Sequence, residues 1–159
     1  MSALELSVFI HITAAVVGFG ATFAEAIAAP VALNLDPRHL PYVHRLQLAI
    51  NRYFATPALV IVLATGIYQV SEGGWSFGDA WISATLAIVI VLGGLLGGYF
   101  IPTDRRLGPM VEREIASAGT GEVVLSEEYQ RQARTEGYVG ALTGVLIVAA
   151  IFLMVVKPG

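Results

Sequence analysis

Leu4-Glu-Leu-Ser-Val-Phe-Ile-His11-Ile-Thr-Ala-Ala-Val-Val-Gly18-Phe-Gly-Ala-Thr22-Phe-Ala-Glu25-Ala-Ile-Ala-Ala-Pro30-Val31 is the stretch whose reading decides the fold. It is long enough to cross a bilayer, which takes roughly 20 apolar residues, yet it carries His11 and Glu25 inside the run. Ionisable groups at that depth are costly and turn toward protein or water rather than lipid. The two are about four helical turns apart, which leaves them only ~40° apart around the axis. One face therefore reads His11, Ala14 or Ala15, Gly18, Thr22, Glu25, while the other faces are Val, Ile, Phe and Ala. A stripe of small and polar residues on an apolar helix is expected to face other helices or a cavity.

Composition supports that reading. Of 159 residues, 56% are hydrophobic and only 13% are charged, which departs from a soluble domain and marks a membrane protein of one domain. A net charge of −3 argues against a nucleic-acid binder, which would show a basic surface. With no Cys, disulfides, thiolate metal sites, iron–sulfur clusters and cysteine catalysis are excluded. The first charge is Glu5 and no basic leader precedes the apolar run, so this run reads as a retained helix rather than a cleaved signal.

Working outward, three more apolar runs follow. Spans are expected at about 4–30, 53–70, 80–101 and 137–156, with 31–52 and 102–136 outside the hydrocarbon. Pro30 and Asn34-Leu-Asp-Pro37 punctuate the end of the first helix, and Asp36 is placed to cap a short helix that starts at Pro37. Pro57 sits one turn inside the second span, beside Thr56. Trp75 and Trp81 bracket a glycine-rich turn as interfacial tryptophans do. Pro102 is expected to end the third span, and Ser126 followed by Glu127 and Glu128 to open the fourth helix. The two segments outside the hydrocarbon hold all eight arginines, and the opposite side holds only Lys157. With the four apolar runs, that asymmetry predicts an all-α, antiparallel bundle of four transmembrane helices, with both termini on the non-cytoplasmic side.

His11 has two readings: a ligand to haem iron or another metal (or a proton-transfer group), and a neutral histidine hydrogen-bonded to a Thr or Tyr of a neighbouring helix. Met154 and Tyr68 are at comparable depth as partners for a ligand. Glu25 is expected in a buried polar network with Arg45, Arg52 and Thr22, or else as a proton or cation site. His39 and His44, with Glu25 or Asp36, form a candidate metal site at the cytoplasmic end. Gly93 with Gly97, and Gly94 with Gly98, are small-xxx-small pairs that favour close helix packing, within the chain or between copies. The expected partners are the bilayer itself and a second copy or a membrane complex.

Three functions are compatible with these residues: a haem- or metal-associated redox protein acting through His11, a small oligomeric ion or proton conduit, and a structural assembly subunit. Phe9-Ile-His11-Ile-Thr-Ala-Ala-Val-Val-Gly-Phe-Gly, Arg52-Tyr-Phe-Ala-Thr-Pro57 through Gly66, Gly74-Trp-Ser-Phe-Gly-Asp79-Ala-Trp and the final Val-Lys157-Pro together resemble the predicted integral membrane family called domain of unknown function 2269. That family is similar, more distantly, to CopD copper-resistance proteins and membrane protoporphyrinogen oxidases. These share a histidine in the first helix and a Thr-Pro…Thr-Gly pattern in the second. The resemblance implies a bacterial cytoplasmic (inner) membrane as the location, that His11 sits where haem-linked relatives place a ligand, with haem b as the implied cofactor, and that Arg52 begins a shared second-helix pattern. Trp81 to Ile101 carries none of the basic residues or histidine that oxidase-type relatives have there.

Overall fold

The computed structural model describes residues 1–158, and nearly all of them are helical. Four rods run antiparallel, each long and apolar enough to cross a membrane: Ala3–Leu35, Pro37–Glu72, Ala80–Ala118 and Glu127–Val156. Within them we number α1 (Ala3–Glu25), α2 (Ala28–Leu35), α3 (Leu40–Ile50), α4 (Thr56–Glu72), α5 (Ala80–Leu95), α6 (Ile101–Ala118) and α7 (Glu127–Val156).

Local chemistry sets the ends. Ser2 and Glu5 form a reciprocal capping box on α1, with Glu5 N–H donating to Ser2 Oγ and Ser2 N–H to the Glu5 carboxylate. Asp36 accepts from Arg38 N–H and starts the 3-10 turn Pro37–His39 that leads into α3. Ser126 accepts from Tyr129 N–H at the head of α7, with Glu127 and Glu128 in the first turn. Asp79 stands at the head of α5, but its carboxylate accepts from Ser76 N–H instead of capping the helix.

Pro102 does not end the third rod. The helix continues to Ala118 through a π turn at Leu96–Phe100, just as the second rod passes Pro57 through a π turn at Asn51–Ala55. Each proline follows its π turn by two residues. A proline ring removes one N–H and crowds the carbonyl one turn back; a wider turn makes room for the ring. Thr56 supplies a further repair, its hydroxyl donating to the Asn51 carbonyl at 2.7 Å.

The rods meet as α1 on α4, α5 on α7 and α3 on α6. The close approach of two backbones is at Gly18, where any Cβ would overlap that of Ala58. The glycines of the third rod do not supply it. Gly94, Gly97 and Gly98 face open space and Gly93 meets only the tip of Leu59, because α5 turns Ile82, Val89 and Leu92 inward. Large apolar side chains such as Phe9, Val16, Val60, Ile90, Val145 and Phe152 face outward along these rods, as lipid contact requires. The densest packing is elsewhere. At the end away from the termini, Ala32, Leu40, Val43, Leu107, Val111 and Tyr129 form a core in which Leu107 and Val111 are fully enclosed. Arg38 ties this end together by donating to the carbonyls of Gly119 and Gly121.

Candidate functional site

The packed end meets the apolar half at a polar layer. Glu25, Asn51, Asp104 and Glu136 each lie roughly 20–24 residues from the end of their own rod that shares a face with the termini, ~30–36 Å at 1.5 Å per residue. That is the thickness of a hydrocarbon core. All four rods thus deliver a polar side chain to one level, just past the length needed to cross.

On α7 the inward positions are Tyr129, Glu136, Thr143, Ile147 and Ala150, a stripe of threes, fours and sevens that brings Tyr129 and Glu136 to one face. On α6, Asp104 and Thr103 follow the π turn and point inward, while Arg105 and Arg106 point out. His44 lies across from them on α3. Its Nδ1 is 3.2 Å from Asp104 Oδ1 and its Nε2 is 2.8 Å from the Tyr129 hydroxyl, with the rings edge to face. A carboxylate only accepts, so Nδ1 carries the proton toward Asp104 and Nε2 accepts from Tyr129 in the neutral ring. One ligating atom each from His44, Asp104 and Glu136 lies within 4.8 Å of the others. Glu25 is near enough for its charge to act on Asp104 and Glu136. Its Oε1 accepts from Asn51 Nδ2 at 3.3 Å.

The cluster holds more carboxyl groups than bases. Glu25, His44, Asp104 and Glu136 are all buried, with Asp104 only 3% and His44 4% exposed. Every one of the eight arginines is exposed. No donor group faces Asp104 Oδ2 or Glu25 Oε2 among the described residues, and Asp104 lies close enough to Glu136 for the two to share a proton. Buried carboxylates this close together need a compensating proton or cation, and no arginine or lysine among the described residues supplies a charge there. A cleft of about 280 Å³ between α3 and α6 leads to His44 and Asp104, with Arg45, Arg105, Pro109 and Glu112 at its walls.

Several expected contacts are replaced by others. The Glu25–arginine pair is absent: Arg45 is exposed and bonds Glu112 at 2.6 Å, and Arg52 lies over the ring of Tyr53. Asn51 and Arg52 are adjacent in the helix and point different ways, so the inward place falls to Asn51, and the neutral amide takes the contact. Thr22 donates to the Gly18 carbonyl on its own helix rather than joining Glu25. His39 is exposed in the 3-10 turn. Its five-residue offset from His44 puts the two rings on different sides, and His44 instead meets Asp104.

His11 lies in a second, smaller polar patch between α1 and α4. Its Nδ1 is 2.8 Å from Thr65 Oγ1, whose own proton goes to the Ile61 carbonyl at 2.6 Å. Thr65 therefore accepts from His11, which fixes the proton on Nδ1 and leaves Nε2 bare. Gly66 leaves room for the imidazole, and Gln69 donates to Ser7 one turn further out. Tyr68 is exposed, Met154 is half-buried, and neither bonds His11 among the described residues. Between this patch and the polar layer stand Ala14, Gly18, Ala58 and Val62, tightly packed.

Asp104, Glu136, Asn51 and Tyr129 do not stand out in the sequence. A sevenfold spacing does link His44 to Asn51 and Tyr129 to Glu136, but each sits among charged or polar neighbours that read as a solvated face.

Taken together, these features define a four-span helical membrane protein with a buried carboxylate–imidazole cluster where its spans meet a packed helical end. The chain belongs to the family described as predicted integral membrane protein (DUF2269), which matches residues 5–158. No curated protein and no solved structure matches it.

Proposed function

We propose that this integral membrane protein is a cation-binding protein whose site is the cluster of Glu25, His44, Asp104 and Glu136, loaded from the end of the bundle that carries the arginines. The observation that carries the reading is the excess of buried carboxylates over buried bases, with two carboxylate oxygens left without partners. A network built only for stability would pair those oxygens, because an unpaired buried charge destabilises strongly. A site built to take up a cation keeps them free. The cleft between α3 and α6 supports an approach from that end. The distribution of arginines supports a cytoplasmic location for it and a non-cytoplasmic location for the termini, and the family resemblance supports a bacterial inner membrane.

Of the alternatives, a conduit through a single chain is disfavoured by the Ala14, Gly18, Ala58 and Val62 packing, which separates the His11 patch from the cluster. A haem at His11 has less to stand on: Nε2 is left free, but no second ligand is at hand among the described residues. His11 acts in this reading as an interhelical hydrogen-bonding residue.

Neutralising the cluster tests the proposal. With chelator present, the Asp104→Asn, Glu136→Gln double variant is expected to melt about 3 °C or more above the wild type. The difference should widen as pH rises, because base strips any compensating proton. The amide introduced by Asp104→Asn can still accept from His44 Nδ1, so that contact is kept. A midpoint that falls at every pH would show the carboxylates to be structural and overturn the reading.

A further inference from the structure

Resting on the cation-binding reading, we infer that the ion held at this site is a divalent first-row metal of the manganese-to-zinc class, coordinated by His44 Nδ1, Asp104 and Glu136.

The spacing fits. Ligand atoms around an ion held at ~2.1 Å stand about 3.0–3.4 Å apart when they are neighbours in a tetrahedral or octahedral shell. His44 Nδ1 and Asp104 Oδ1 are 3.2 Å apart. The Glu136 carboxylate needs only a rotamer adjustment to close the third position, since the ligating atoms already lie within 4.8 Å of one another. A buried Asp104 oxygen with no partner, in a residue only 3% exposed, is the acceptor that such an ion would satisfy.

Donor chemistry selects the class. One imidazole nitrogen with two carboxylates suits borderline divalent ions; calcium and magnesium favour all-oxygen shells, and copper(I) favours sulfur. The chain has no Cys to offer a thiolate. Three protein ligands leave open positions for water or a substrate, as in catalytic rather than structural metal sites.

The surroundings complete it. Metal at Nδ1 displaces the proton there and moves the ring proton to Nε2, which then donates to the Tyr129 hydroxyl 2.8 Å away. Tyr129 is nearly fully buried on α7 and holds the ring in the orientation that ligation needs. The ring keeps its single proton in this exchange, so any proton released on binding comes from the Asp104–Glu136 carboxyl pair, and the two ligating carboxylates then balance the charge of the dication. Glu25 stands outside the ligand set as a further carboxyl group within electrostatic reach of Asp104.

The test uses the full chain purified in detergent, titrated with zinc and separately with manganese by calorimetry, with the manganese signal followed by electron paramagnetic resonance. We expect one ion per chain and a rise in melting midpoint on binding. Asp104→Asn and His44→Gln should each weaken binding at least about a hundredfold, and Tyr129→Phe by about 10–100-fold, as orienting partners do. Retained helical circular dichroism and a monodisperse elution peak would show that each variant is folded. Absence of binding by the folded wild type, or binding that Asp104→Asn and His44→Gln leave unchanged, overturns the metal assignment. In that event, a double carboxylate variant that melts higher than the wild type, by more as pH rises, keeps the cation reading, with the proton as the cation; a variant that melts lower removes both.

Discussion

At the scale of single residues, the chain shows how a polar group is accommodated beside lipid. Thr65 donates its one proton to a carbonyl of its own helix, so its oxygen can only accept, and His11 is thereby held in one tautomer. Replacing Thr65 by Val keeps the shape and removes the acceptor. The expected loss is about 0.6–1.7 kcal/mol, the range for such bonds between membrane helices. Nitrogen-15 NMR of the imidazole should show protonated Nδ1 in the wild type and a mixture of tautomers in Thr65→Val. His11 is legible in the sequence because an ionisable group in an apolar run stands out. Its partner reads only as a Thr or Tyr, since the sequence does not say which helix lies opposite. Glu25 stands out for the same reason, but its partner Asn51 does not. Arginines near the same level offer an electrostatically attractive alternative, and helix rotation decides against them.

At the scale of elements, the two π turns distinguish the rods from plain spans. Each lies just before a proline and at the level of the polar layer. A π turn carries one residue more than the α turn it replaces, with i→i+5 bonds in place of i→i+4. Deleting Gly97 or Gly98 should therefore convert Leu96–Phe100 to α-helix while leaving α5 and α6 in register. Deleting Ala87 instead rotates everything beyond it by ~100° and takes Asp104 off the interior. Yield from membranes and elution profile should separate the two, with the glycine deletion near wild type. Equal loss in both would show that the π turn is needed for its own sake. This is also where the sequence misleads. Pro102 reads as a stop because a proline in an ordinary α-helix breaks it, and nothing local announces the wider turn that lets the rod continue. The segment after it reads as a charged linker because Arg105 and Arg106 directly follow Asp104. The burial of Asp104 arises only when α6 packs against α3.

At the scale of the whole molecule, two halves differ in what encloses them. The apolar half is held by narrow seams and wears its large side chains outward, and the other half has an interior like that of a soluble helical domain. The four apolar runs and the segregation of arginines are readable because bilayer crossing imposes length and composition on each segment alone. The cluster is not, because it unites residues from all four rods. The expected orientation is open to direct labelling, since the chain has no native Cys. Ser76→Cys, in the exposed turn between α4 and α5, should react with a membrane-impermeant maleimide in intact cells. Ser117→Cys, exposed near the end of α6, should react only after lysis. The reverse pattern would invert the protein and place the cleft outside.

Trp75 and Trp81, the chain's two tryptophans, stand edge to face at 5.4 Å, with Lys157 Nζ 4.1 Å from the centre of the first ring. Indole emission therefore originates wholly at the face bearing the termini, a bilayer's breadth from His44 and Asp104. Occupancy of the cluster, taken alone, should leave that glow untouched. Any change in its intensity or colour on adding a ligand would mean that the rods themselves had shifted along their length.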